Sequence, residues 1–166
     1  MTQNKQHIAD ALKRAIRGEE DGFKFYHIMV GKTKNPDARR KLENLRDDEV
    51  RHKKTLVDMF AQYVGGPIGE LPEKGLSALT EVFHKGQVDT LTTEMQFINL
   101  AIEAELAATK FYQEERDMTD DPKFQEIFDQ LAEEEHGHFE LLQAEKEALA
   151  GNYSWFSIDG TSPQEY

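Results

Sequence analysis

The chain has 166 residues, 38% of them hydrophobic and 31% charged, with a formal net charge of −12. That length suits one domain with a real core; no run approaches the about 20 apolar residues of a membrane span, and so acidic a composition argues against nucleic acid as a partner. The absence of cysteine excludes disulfide scaffolds and thiolate metal sites; with no apolar stretch flanked by basic residues in the first ten positions, no signal peptide is visible, and the expectation is a soluble, cytoplasmic protein.

Helical periodicity runs through the sequence. The spacing predicts a first helix over residues 8–34, with Leu12, Ile16, Phe23, Tyr26 and Val30 on one stripe. Asn35-Pro36-Asp37 ends it, because proline disfavours helix in the residue before it and is well tolerated in the next helix's first turn. A second helix follows to residue 63, with Leu42, Leu45, Leu56 and Phe60 inward, until Gly65-Gly66-Pro67 stops it. The connection over residues 65–88 contains Pro67 and Pro72 and a short helical turn near residues 76–83. The third helix is predicted over residues 89–119 and the fourth over residues 122–150, separated by Asp120-Asp121-Pro122 and closed by Gly151.

Two tight hairpins joined by a long connection place helices antiparallel within each hairpin and let the second and third run parallel. The expected fold is all-α: a four-helix bundle over residues 1–150 with one long crossover, then a short tail over residues 151–166. Trp155 and Phe156 in that tail are expected to pack on the bundle or on a neighbouring molecule.

Shifting the chain by 86 residues lays the second hairpin on the first without a gap. Residues 12–56 against 98–142 give 12 identities, where chance gives roughly three. The paired residues include Glu19/Glu105, Tyr26/Tyr112, Pro36/Pro122, Glu49/Glu135 and His52/His138.

Glu49-x-x-His52 and Glu135-x-x-His138 each put a carboxylate and an imidazole on one helix face. Both interrupt apolar stripes, formed by Leu42, Leu45 and Leu56 in one copy and by Phe128, Leu131 and Leu142 in the other, so both face the core. Glu19 lies between Ile16 and Phe23, and Glu105 lies beside Ala101 and Ile102. At about 1.5 Å per residue, Glu19, Glu49 and His52 stand about 21–26 Å from the turn at Asn35, and their repeats stand likewise from Asp121. Four carboxylates cannot remain ionised together in an apolar core without compensation. Two divalent cations supply it, and two Glu-x-x-His helices with one Glu from each of the others is the donor pattern of bundle di-iron and di-manganese sites. The expectation is a dinuclear metal site for two iron ions, with manganese or zinc as alternatives.

Tyr26 and Tyr112 stand two turns beyond Glu19 and Glu105. They are either core tyrosines satisfied by any acceptor or donors that orient a ligand carboxylate. Asp48 and Glu134, four residues before each histidine, are candidates to orient the imidazoles across the bundle. Glu133-x-x-His136 has the right spacing but lies off the stripe and lacks a counterpart in the first copy, so it is assigned to the surface; His7, His27 and His84 read as ordinary residues, and Met59 and Met95 as core filling. Charge is lopsided: residues 1–86 hold 16 Lys and Arg against 13 Asp and Glu, and residues 87–166 hold 4 against 19. That suits a solvated acidic face, a homodimer pairing basic with acidic faces, or a field that draws in cations.

The order Glu, Glu-x-x-His, Glu, Glu-x-x-His, with the tyrosines seven residues after Glu19 and Glu105, resembles the ferritin-like superfamily and, within it, the rubrerythrin-like proteins, over residues 5–150. The resemblance implies that Glu49 and Glu135 bridge two metals, with Glu19 and Glu105 as terminal carboxylates and His52 and His138 as terminal imidazoles. It implies a homodimeric oxidoreductase reacting with hydrogen peroxide or dioxygen; the alternatives are a ferroxidase that stores iron and a bundle stapled by a non-redox metal. Full rubrerythrins also carry a four-cysteine rubredoxin domain, so a chain without cysteine implies a separate electron-donor protein. Their additional third-helix glutamate has no equivalent at Ile102 or Ala108, a turn to either side of Glu105.

Overall fold

Each hairpin turn is fixed by the same local chemistry. Asn35 accepts hydrogen bonds from the backbone N–H groups of Asp37 and Ala38, Asp121 accepts one from that of Phe124, and a proline follows each cap. In the computed structural model, which describes residues 3–157, these caps open α2 (Pro36–Tyr63) and α5 (Pro122–Leu149). Antiparallel to them run α1 (Gln3–Lys32) and α4 (Glu94–Asp117). The crossover contains α3 (Ala78–His84) and a single 3-10 turn at Gln87–Thr90.

The fourfold bundle with one long crossover is therefore the architecture found, with all elements helical. Two boundaries differ from the sequence expectation by five residues. The helix expected from residue 89 begins at Glu94, because a Thr93–Gln96 capping box sets its start and residues 87–90 turn separately. The first helix begins five residues earlier than the apolar stripe indicates, at Gln3. Among the described residues, no helix is long and apolar enough to cross a membrane.

The core is divided. One apolar cluster joins the N-terminal halves of α1 and α5 to the C-terminal halves of α2 and α4, around Leu12, Ile16, Leu56, Phe60, Tyr112 and Phe128. The second joins the opposite halves, around Phe25, Met29, Leu42, Phe97, Leu142 and Trp155. That exchange of halves makes α2 and α4 parallel, and the crossover spans the length between their ends. The acidic and histidine residues singled out by the repeat fall between the two clusters.

The tail packs on its own bundle. Trp155 is buried, its indole N–H donates to Glu145 on α5, and its carbonyl accepts from the backbone N–H groups of Lys34 and Asn35 in the α1–α2 turn. Phe156 stacks edge-on against Phe97. The remainder of the expected tail, residues 158–166, lies outside the described residues.

Candidate metal centre

All six residues predicted as ligands are buried and converge on one place. Donor atoms of Glu19, Glu49, His52 and Glu135 lie within 4.8 Å of one another, as do those of Glu49, Glu105, Glu135 and His138. The two sets share Glu49 from α2 and Glu135 from α5. What remains pairs within each hairpin: Glu19 of α1 with His52 of α2, and Glu105 of α4 with His138 of α5. No such pairing is visible in the sequence, where the two halves are equivalent.

Both imidazoles turn Nδ1 inward. His52 Nδ1 stands 3.2 Å from Glu135 and 3.5 Å from Glu19, and His138 Nδ1 stands 3.1 Å from Glu135 and 3.5 Å from Glu105. Their outer nitrogens are held by the opposite hairpin: His52 Nε2 donates to Glu134 at 2.7 Å, and His138 Nε2 donates to Asp48 at 3.0 Å. Arg51 binds both of those acids, Glu134 at 2.5 Å and Asp48 at 2.9 Å. Asp48 and Glu134 thus orient the imidazoles as the sequence indicates, whereas the arginine that ties them together has no counterpart in the repeat. The tyrosines also act across the hairpins, Tyr26 donating to Glu105 and Tyr112 to Glu19. Glu133 and His136 are exposed.

The electrostatics of the cluster favour a cation. Burial and the neighbouring Glu135 push the Glu49 carboxyl well above its ordinary range, and the same two causes push Glu105 up to about 8. Burial alone would lower the histidines, but hydrogen bonds to the carboxylates outweigh it, raising His52 to about 12 and His138 to about 11. Metal-free, the cage offsets its negative charge with protons. Glu19 Oε2 and Glu49 Oε1 are nevertheless buried without hydrogen-bond partners, and buried acceptors are seldom left so. Unpaired carboxylate oxygens beside inward-facing imidazole nitrogens are donors that suit a divalent cation. The residues present fit a metal.

One requirement escapes the sequence reading. A Cβ on Gly22 of α1 would overlap the Glu49 carboxylate, so close packing of α1 against that ligand needs a glycine there.

The sequence model of the rubrerythrin family matches residues 10–146. No curated protein matches the chain. Among solved structures, a hypothetical protein from Pyrococcus furiosus is similar at a TM-score of 0.75 and 23% identity, over 86% of this chain and 90% of that one. CopM in its Cu(II)-bound form is similar at a TM-score of 0.70 and 12% identity, over 84% of this chain and 97% of that one. Both are likenesses of fold.

Proposed function

This chain belongs to the rubrerythrin family, and we propose that it is a di-iron carboxylate oxidoreductase whose reduced centre reacts with hydrogen peroxide or dioxygen. The observation that carries the reading is the pair of overlapping donor sets with Glu49 and Glu135 in common. Glu19 and His52 would hold one ion, Glu105 and His138 the other, and the shared carboxylates both. Carboxylate oxygens with one imidazole for each ion suit iron.

With ferrous ions bound, the pair would supply two electrons, one from each ion, enough with two protons to reduce hydrogen peroxide to two waters. The protein's residues set the stage for it. Tyr26 and Tyr112 fix the carboxylates of Glu105 and Glu19, and Asp48 and Glu134 hold Nδ1 of each imidazole inward. The apolar clusters on either side keep bulk water from the carboxylates. A separate donor protein would return the electrons.

Stopped-flow mixing of anaerobic, iron-loaded protein with hydrogen peroxide tests the reading. Ferrous iron should disappear faster than free ferrous ions do under the same conditions; an equal rate contradicts it. Light scattering near the mass of a dimer accords with this function, whereas a large hollow assembly favours iron storage.

A further inference from the structure

Asp21 is buried beside the cage without belonging to it. Its Oδ2 accepts from Thr80 Oγ1 at 2.5 Å and from Arg17 Nε at 3.3 Å, while its Oδ1 has no partner. A buried acceptor in that state marks the place of a donor.

Asp21 lines a cavity of about 20 Å³ together with Glu19, Glu49 and Glu105, enough room for about one water-sized molecule. Small residues keep it open. Gly18 and Gly22 of α1 and Ala104 and Ala108 of α4 line it, at positions the 86-residue repeat superposes. A Cβ on Gly18 would stand 2.7 Å from Leu76. Leu76, Ser77 and Thr80 are walls of this cavity and also of an open cleft of about 500 Å³ that Arg14, Glu73, Lys74 and Glu81 line as well. The crossover segment therefore lines both the open cleft and a pocket whose walls include the four cage carboxylates but neither His52 nor His138.

We propose that this cavity is the docking pocket for a small, uncharged, hydrogen-bond-donating reactant, which passes Leu76 from the open cleft and donates to Asp21 Oδ1. What becomes of the reactant there rests on the di-iron reading; its binding does not. Hydrogen peroxide has two O–H donors and dioxygen has none, so Asp21 is a positioning residue that favours the former.

Crystallography tests the pocket without reference to metal. An ordered water within hydrogen-bonding distance of Asp21 Oδ1 is expected, and a dry cavity overturns the proposal. Asp21→Asn preserves shape: Arg17 and Thr80 claim the amide oxygen, so a donor replaces the unpaired acceptor at Oδ1. In iron-loaded protein it should lower the ratio of peroxide to dioxygen oxidation rates about fivefold; an unchanged ratio overturns the proposal. Leu76→Trp should slow nitric oxide binding to the ferrous protein about tenfold, as a narrowed passage does, with Leu76→Phe as the milder variant should the larger ring prevent folding. Unchanged binding in a fully loaded variant overturns the route. Iron content is measured alongside, so an iron-free wild type would sink the di-iron reading while the crystallographic result still decides the pocket.

Discussion

The hydroxyl of Tyr26 on α1 donates a hydrogen bond to the carboxylate of Glu105 on α4. Tyr112 on α4 makes the reciprocal bond to Glu19 on α1, and the His52–Glu134 and His138–Asp48 bonds cross between α2 and α5 in the same way. Each hairpin thus supplies the private ligands of one half of the cage and the groups that orient the other half. Neither half is complete until both hairpins have docked.

Removing a tyrosine hydroxyl should therefore act on metal binding rather than on the fold. Tyr26→Phe and Tyr112→Phe should each weaken metal affinity on the order of tenfold, measured by competition with a chelator, while helix content by circular dichroism stays unchanged.

The metal-free protein should lose stability as pH rises. Glu49 and Glu105 are raised above the carboxyl values of an unfolded chain, with Glu105 at about 8, and His52 and His138 are raised to about 12 and about 11. The folded form then binds more protons than the unfolded one, so the carboxyl part of the stabilisation is full only below about pH 4.5 and the histidine part below about pH 6.5, and each is lost as pH climbs through the raised values. Glu134, held down at about 2 by Arg51 and His52 despite partial burial, reverses the trend in strong acid. Thermal unfolding of metal-free protein should show a falling Tm between about pH 5 and 9. Metal replaces the protons, so the loaded protein should show a flatter profile, and loading near neutral pH should acidify an unbuffered solution.

Gly22→Ala should displace the Glu49 carboxylate and weaken metal binding on the order of tenfold. Gly31, near the end of the same helix, has nothing within 4 Å of an added Cβ. Gly31→Ala is therefore the matched control, with metal binding at the wild-type level.

Trp155→Ala should destabilise the protein by about 3–5 kcal/mol in chemical denaturation, because it empties a buried site and removes the indole bond to Glu145. Metal stoichiometry should not change, since Trp155 belongs to the apolar cluster at the far end of the bundle from Phe60 and Phe128.

The bundle and the cage were legible because both are written twice. Glu49 and Glu135 repeat in register with the apolar stripes around them, so a periodic pattern places them inside at one height. Asp48 and Glu134 occupy repeated positions as two different acids, a weaker form of the same signal. Asp21 and Thr80 lie 59 residues apart and meet only because the crossover folds back on α1. That segment has neither a repeat nor a long period to announce where it lands. The docking of Trp155 is equally silent, because it depends on backbone hydrogen bonds to Lys34 and Asn35. Gly22 did leave a trace, since it aligns with Ala108 and Gly18 with Ala104, so small residues recur beside both outer glutamates.

Metal analysis of protein purified without oxygen, wild type beside Glu49→Ala and Glu135→Ala, tests the shared cage most directly. Two equivalents of iron for each wild-type chain, with both lost when either shared carboxylate is removed, is the predicted result. Variants that keep the wild-type metal content would contradict it.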